Sequence, residues 1–383
     1  MSTNDSDARP LEGARILVTG GTGSLGKVLV RRLLAGEMGR PSAVVVFSRD
    51  ELKQHDMRLA WQARRRAAAR AATDEVIYGG GGDPLRFCIG DVRDVASLER
   101  ALLAHGVQIV VHAAALKQVP TCEYFPGEAA ATNVGGAENL VRALARVAAS
   151  GQPVDTVVGI STDKACKPVN VMGMTKALME RILIRANLDL PRTRLLCVRY
   201  GNVLASRGSV IPLFHEQLRR GGPLTLTDPD MTRFLLSLDD AVDTVFAAIR
   251  TGRPGELYVP RAPAAKIVDV AAMMAEAHAA RTGAPPVPVE SIGIRPGEKL
   301  HESMLSIEEG PRVVRRGAFY ALRPMLPELA AGAADLGPPA EEVAGGFSSA
   351  DHLRPYDETR ALLERHDLLR VPDAADARPE VGA

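Results

Sequence analysis

The chain of 383 residues has no excess of either charge: 47 Lys and Arg stand against 46 Asp and Glu, a net charge of +1. It therefore lacks the electrostatic footprint that binding to nucleic acid or to an anionic membrane requires. Cysteine is scarce. Cys88, Cys122, Cys166 and Cys197 are scattered, form no CxxC pair and join no His/Cys cluster at metal spacing. No metal module is expected, and the four read as free thiols of a reducing compartment. No apolar run approaches the length of a membrane span. The polar opening MSTNDSDARPLEG has no apolar core of a signal peptide. A cytoplasmic location is the expectation. There is no internal repeat.

What is present is a full complement of core formers, with hydrophobic residues at 46%, enough for one large α/β domain with a smaller appended region. Through the first two hundred residues, short apolar runs alternate with helical patterns. RILVT (15–19), AVVVF (43–47), RFCIG (86–90), QIVVHA (108–113), DTVVGIS (155–161) and RLLCVRY (194–200) read as buried strands. The alternation predicts a doubly wound parallel sheet with helices on both faces. The Ala/Arg-rich stretch 62–76 reads as a solvated helix, and YGGGGDP (78–84) as a flexible turn. After residue 200 turn-rich segments separate short elements, which predicts a smaller substrate-facing region interleaved with the first domain. Residues 325–346, rich in Ala, Gly, Pro and Glu, read as a linker, and the last dozen residues as disordered.

The segment VTGGTGSLGKVLVRRLL follows the first strand and opens a helix, with Gly20, Gly23 and Gly26 at GxxGxxG spacing. Glycines allow the tight turn and the close approach of a pyrophosphate, which the helix N-terminus then binds with free N–H groups. Thr22, Ser24 and Leu25 complete that turn. The second strand runs into Ser48 and Arg49, with Asp50 only after them. A hydroxyl and a guanidinium suit a 2′-phosphate, so NADP is expected ahead of NAD. Asp91 and Val92, after the third strand, are placed to meet adenine. The small residues Ala113, Ala114 and Ala115, after the fourth, leave room for the cofactor ribose.

These and further segments together resemble one family, the UDP-N-acetylglucosamine 4,6-dehydratases of the extended short-chain dehydrogenase/reductase superfamily. The segments are TGGTGSLG, FSRDELKQ, IGDVRD, HAAALKQVP, ATNVGGAENL, STDKACKPVNVMGMTK, VRYGNVLASRGSVIPLF, TDPDMTRF, GELYVP and IRPGEKLHE, in order from about residue 15 to 305. Long members carry an N-terminal membrane region; this chain is expected to start at the catalytic domain, like the short soluble ones. The resemblance implies a reaction on a UDP-linked sugar. Hydride leaves C4 for a bound NADP or NAD, water is lost across C5 and C6, and hydride returns to C6. It also implies a homo-oligomer.

Superfamily enzymes carry a Tyr-x-x-x-Lys pair on one helix face. Here the pair is Met172 and Lys176. A thioether has no ionisable proton and cannot act as a base. Some members of the family also carry methionine there. The resemblance assigns Lys176 to the nicotinamide ribose, Thr162 to the C4 hydroxyl proton, Asp163 to the C6 hydroxyl as acid and Lys164 to C5 as base. Burial is expected to favour the neutral forms, lowering the pKa of Lys164, with ion pairing opposing it. Without a tyrosine to protonate the opposite face, retention at C5 is expected. Tyr200 is implied at the cofactor, and Lys117, Asn202, Ser209, Val210, Arg233, Arg295 and Glu298 at the nucleotide sugar.

The expected division is a disordered leader at 1–12, an NAD(P)-binding domain at 13–203, a nucleotide-sugar-binding region at 204–324, and a linker with a C-terminal segment at 325–383. An epimerase at C4 or C5, a dehydratase that stops at the 5,6-ene, and a nucleotide-sugar-binding regulator without turnover remain open alternatives.

Overall fold

The computed structural model describes residues 9–68, 83–204, 209–330 and 338–372. The glycine turn at 78–82, the end of the Ala/Arg-rich stretch and nearly all of the C-terminal dozen lie outside the described residues.

Six parallel strands form first: Arg15–Thr19 (β1), Ala43–Ser48 (β2), Leu85–Ile89 (β3), Ile109–His112 (β4), Thr156–Thr162 (β5) and Arg194–Tyr200 (β6). They match the six apolar runs to within a residue or so at each end. β2, β4 and β5 are buried along nearly their whole length, as strands covered on both faces must be. Between them run helices Ser24–Ala35 (α1), Glu51–Ala68 (α2), Val95–His105 (α3), Gly136–Ala149 (α4) and Val171–Arg185 (α5). The Asp94 carboxylate caps α3 by accepting from the Ala96 amide at 2.9 Å. Asn170 caps α5 by accepting from Gly173 at 2.8 Å.

The second region supplies Val210–Arg219 (α6), Leu224–Leu226 (β7), Thr232–Phe234 (β8), Leu238–Thr251 (α7), Leu257–Pro260 (β9), Ala264–Lys266 (β10), Ile267–Thr282 (α8), Val289–Ser291 (β11), Ser303–Leu305 (β12), Val313–Arg316 (β13), Phe319–Leu322 (β14), Phe347–Ser348 (β15) and Tyr356–Arg365 (α9). The main sheet does not stop near residue 203. Its order is β13-β14-β9-β6-β5-β4-β1-β2-β3. β9 joins β6 in parallel, and β14 and β13 follow antiparallel. The fold is thus α/β, a doubly wound and mostly parallel sheet with flanking helices.

A separate core gathers Ile211 and Phe214 of α6, Leu224 of β7, Met273 and Met274 of α8, and Leu363 of α9. Residues expected in the leader and in the C-terminal segment also pack: Leu11 is buried with its amide on Met38 O, and β15 pairs with β12. Among the described residues no helix is long and apolar enough to cross a membrane.

The strand order reverses between β1 and β4, which pair through Thr19 and His112. Their carboxyl ends part there, and a crevice opens at that switch point.

Candidate active site

A cavity of about 670 Å³ occupies the crevice, within the size range of ligand pockets. Gly20, Thr22, Gly23, Ser24, Leu25 and Gly26 form one wall. Gly20 adopts φ +67°, and a Cβ there would lie 2.8 Å from the backbone of Ala114. Only glycine permits both the turn and the contact with the loop after β4. Gly23 sits at the N-cap of α1 without a side-chain cap bond, and no acidic residue occupies the first turn. The first N–H groups of α1 are left for an anion. This cradle fits a dinucleotide diphosphate.

Ser48, Arg49, Asp91, Val92, Ala113, Ala114 and Ala115 line the same end. Ser48 accepts from Gln54 Nε2 at its hydroxyl and its carbonyl, each at 3.0 Å. The Asp50 carboxylate is engaged by the amide and ammonium of Lys53, which hold it below the usual carboxylate range. Arg49 is exposed, with Nη1 3.7 Å from Asp91 Oδ2. Burial works against ionisation of Asp91, but hydrogen bonds from Arg93 and the charge of Arg49 outweigh it, and the carboxyl stays below its ordinary range.

The centre of the cavity is built on α5. Gly173 lets the helix press against the turn after β5: a Cβ there would lie 2.2 Å from Lys164 O. Met172 and Lys176, one helical turn apart, both line the cavity. Met172 is buried in a small apolar cluster with Cys122 and Ala129, so the position where an ionisable group is expected is apolar. The Lys176 ammonium is buried and donates to Met179 Sδ at 3.1 Å, a weak acceptor. Burial draws it down to about 8. A neighbouring anchor comes from the π-helical turn Ala130–Gly135. Asn133 bonds both the amide and the carbonyl of Leu116, at 2.8 and 3.0 Å, and donates to Thr175 Oγ1 at 3.0 Å. It ties the loop after β4 to α5.

Lys164 presents the opposite environment. Its Nζ lies 3.0 Å from Asp163 Oδ1, 2.8 Å from Asn202 Oδ1 and 3.4 Å from Glu302 Oε1. Thr162 Oγ1 donates to Asp163 Oδ1 at 2.9 Å, while Asp163 Oδ2 is buried without a hydrogen-bond partner. The expected lowering of Lys164 is corrected here. Burial does oppose the ammonium, but Asp163 and Glu302 together overcome it and push the lysine above its ordinary value. Glu302 escaped the sequence analysis. It stands at the end of RPGEKLHE, but no local spacing ties it to Lys164, whose partner it becomes only through the fold.

At the other end, Lys117, Asn202, Ser209, Arg295 and Glu298 line the cavity, as does Tyr200 at the end of β6. Burial pushes the Tyr200 hydroxyl well above its ordinary value. Ser209 Oγ and Glu298 Oε2 are buried without partners. Two expected ligands point elsewhere. Val210 packs against the second core. Arg233 is absent from the lining; it is buried and donates to the carbonyls of Thr232, Lys299 and Leu300 at 2.7–3.0 Å. An arginine in a turn suits phosphate by type, but this one closes carbonyls that strand pairing leaves open.

Residues 16–324 match the model of a family described as polysaccharide biosynthesis protein. A protein named UDP-glucose 4-epimerase from Rickettsia typhi is 43% identical over 310 residues, covering 80% of this chain and 82% of that one. Its namesake from Rickettsia conorii is 44% identical over 297 residues, covering 77% and 78%. Among solved structures, Pen from Bacillus thuringiensis superposes with a TM-score of 0.78 at 29% identity, over 94% of this chain and 99% of its own. The dTDP-glucose 4,6-dehydratase DesIV from Streptomyces venezuelae, solved with NAD, gives a TM-score of 0.59 at 24% identity over 75% and 86%. That last likeness is one of fold.

Proposed function

The chain belongs to the polysaccharide biosynthesis protein family, and we propose that it dehydrates a UDP-linked N-acetylhexosamine, UDP-N-acetylglucosamine first among them, to the 4-keto-6-deoxy sugar nucleotide. The observation that carries this reading is the Lys164 ammonium on the cavity wall, 3.0 Å from the carboxylate of Asp163, which is fully buried behind it and outside the lining, beside a Met172 that cannot ionise. Elimination across C5 and C6 needs an acid and a base side by side; interconversion at C4 does not.

The glycine turn and the start of α1 are suited to a dinucleotide diphosphate, and Lys176 to the nicotinamide ribose. NADP is favoured over NAD by Arg49 and by the engagement of Asp50 with Lys53. When bound, the oxidised dinucleotide supplies the hydride acceptor for C4 and the donor for C6. The rest falls to the protein. Passage of a proton from Lys164 Nζ to Asp163 Oδ1 yields the two forms elimination needs, a neutral amine and a carboxylic acid. Lys164 then takes the C5 proton as Asp163 gives its own to the departing C6 hydroxyl. Lys164 returns its proton to C5 on the face it came from, so C5 keeps its configuration. The C4 hydroxyl proton leaves through Thr162 to Lys176 or water. The bond from Thr162 to Asp163 is the path by which the carboxylate recovers the proton lost with water.

Asn202, Ser209, Arg295, Glu298 and Lys117 are assigned to the nucleotide sugar. Self-association belongs to the same reading, supported by exposed Met174 and Leu178 on α5 and by Tyr124 and Phe125, and is checked by light scattering.

A second reading, epimerisation at C4, rests on the name carried by the Rickettsia relatives. Incubation with UDP-N-acetylglucosamine and, separately, with UDP-glucose decides between the two. Loss of one water by mass spectrometry, with a D-xylo ring by NMR, supports dehydration with retention; an isobaric C4 epimer without water loss overturns it. The nucleotide that co-purifies identifies the cofactor.

A further inference from the structure

Glu302 is 2% exposed. It belongs to the second region, immediately before β12, yet its carboxylate faces the catalytic turn after β5. Its main chain is fixed on both sides: its amide donates to Ser349 Oγ at 3.0 Å, and its carbonyl accepts from the Ser349 amide at 2.8 Å. Arg233 clamps the two carbonyls that lead into this segment. One carboxylate oxygen lies 3.4 Å from Lys164 Nζ; the other is 3.9 Å from Lys299 Nζ and has no hydrogen-bond partner.

A buried carboxylate is costly unless charge and hydrogen bonds compensate it. Here the Lys164 ammonium is shared with Asp163, and Lys299 donates to Cys166 O at 2.7 Å. Two carboxylates therefore compete for one ammonium. Burial accordingly raises Glu302 above its ordinary value, with Asp163 adding to the rise and Lys164, Arg233 and Lys299 opposing it. Packing alone would be served as well by an amide of the same shape.

We propose that Glu302 is a positioning residue of the Asp163–Lys164 pair: from the second region it holds the Lys164 ammonium against the turn and sets how readily its proton passes to Asp163. In that transfer the Nζ–H bond breaks and an O–H bond forms on Asp163 Oδ1, while Glu302 exchanges nothing. Its negative charge favours the proton on Lys164. The charged groups facing it are Asp163 and Lys164 from the turn after β5, Arg233 from β8 and Lys299 from its own segment. The proposal rests on the dehydration reading for its purpose, and not for its test.

Lysine acetylation by acetic anhydride is followed at the Lys164 peptide by mass spectrometry and normalised to half-exposed Lys266 of the same molecule. Glu302→Gln keeps the shape and removes the charge, so Lys164 is expected to label about tenfold faster than in the parent protein at the same pH, the gain in neutral amine for about one pH unit of lowering. Glu302→Asp, with its charge drawn back by one methylene, is expected to fall between the two. In turnover, the rising limb of kcat against pH moves to lower pH in Glu302→Gln by about the same interval while KM for the sugar nucleotide stays within about twofold. Labelling unchanged within about twofold in the folded Glu302→Gln protein overturns the proposal. If that variant does not fold, unchanged labelling in Glu302→Asp overturns it instead. A parent protein that converts no sugar nucleotide, in which Lys164 labelling nonetheless responds to Glu302, defeats the dehydration reading and leaves the role of Glu302 standing.

Discussion

Two lysines line the same cavity in opposite company, Lys176 buried and Lys164 partly exposed. Lys176 looks out from α5 with its ammonium on the thioether of Met179. Lys164 sits in the turn after β5 between two carboxylates and an amide oxygen. Burial acts on both in the same sense, yet one is drawn down to about 8 and the other raised. Depth therefore does not decide the protonation of a lysine; the charges that share the depth do. The contrast suits a division of labour, one lysine holding a ribose and the other trafficking a proton.

The sharpest way to break the contrast is to remove its reactive half. Lys164→Ala is expected to cut dehydration by about 10²–10⁴-fold, the range of a lost general base, while exchange of hydride at C4 continues. Deuterium carried from C4 into the cofactor without water loss is the signature; dehydration at the parental rate would remove Lys164 from the reaction.

Removing the other half tests the apolar side. The folded value of Lys176, about 8, lies below its ordinary 10.5. Between the two the unfolded chain binds more protons, so stability rises with pH across that window, and below about 8 the fold carries the full cost of a buried ammonium. Lys176→Met is thus expected to stabilise the nucleotide-stripped protein by on the order of 3 kcal/mol near neutral pH, an advantage that fades towards the upper end of the window. Urea unfolding at neutral and alkaline pH reads the difference. A gain that does not change with pH would show that packing, not charge, is responsible.

The smallest intervention shifts the two lysines relative to each other. Gly173→Ala places a methyl 2.2 Å from Lys164 O, and α5 or the turn must yield. A fall in kcat of about tenfold to a hundredfold is expected, with the dinucleotide still bound, as for misplacement of reacting groups. An unchanged kcat would mean that the spacing of helix and turn does not matter.

The contrast also marks what the amino-acid sequence reveals. The strands were legible because continuous β-branched runs such as AVVVF and QIVVHA are a local signal of strands buried on both faces, and the phosphate cradle because its glycines obey a local backbone constraint. Asp163 and Lys164 were legible as neighbours on the chain. The direction of the Lys164 shift was not, because Glu302 arrives from a distant segment and only the fold brings it to the ammonium. Arg233 misled for a related reason: its type suits phosphate, but its position directs it to carbonyls. Leu11 and α9 look polar in context, yet one packs beside Met38 and the other against α8 in the second core.

The pairing of β6 with β9 has a consequence for anyone who would dissect the molecule. A fragment ending near residue 203 would leave Cys197 and Val198 with bare backbone groups on an apolar rim, an invitation to aggregate. It would also strand Arg199, whose guanidinium reaches 2.9 Å to Glu309 beyond the cut, with half of its counter-charge gone. The first half of the chain is not a detachable module.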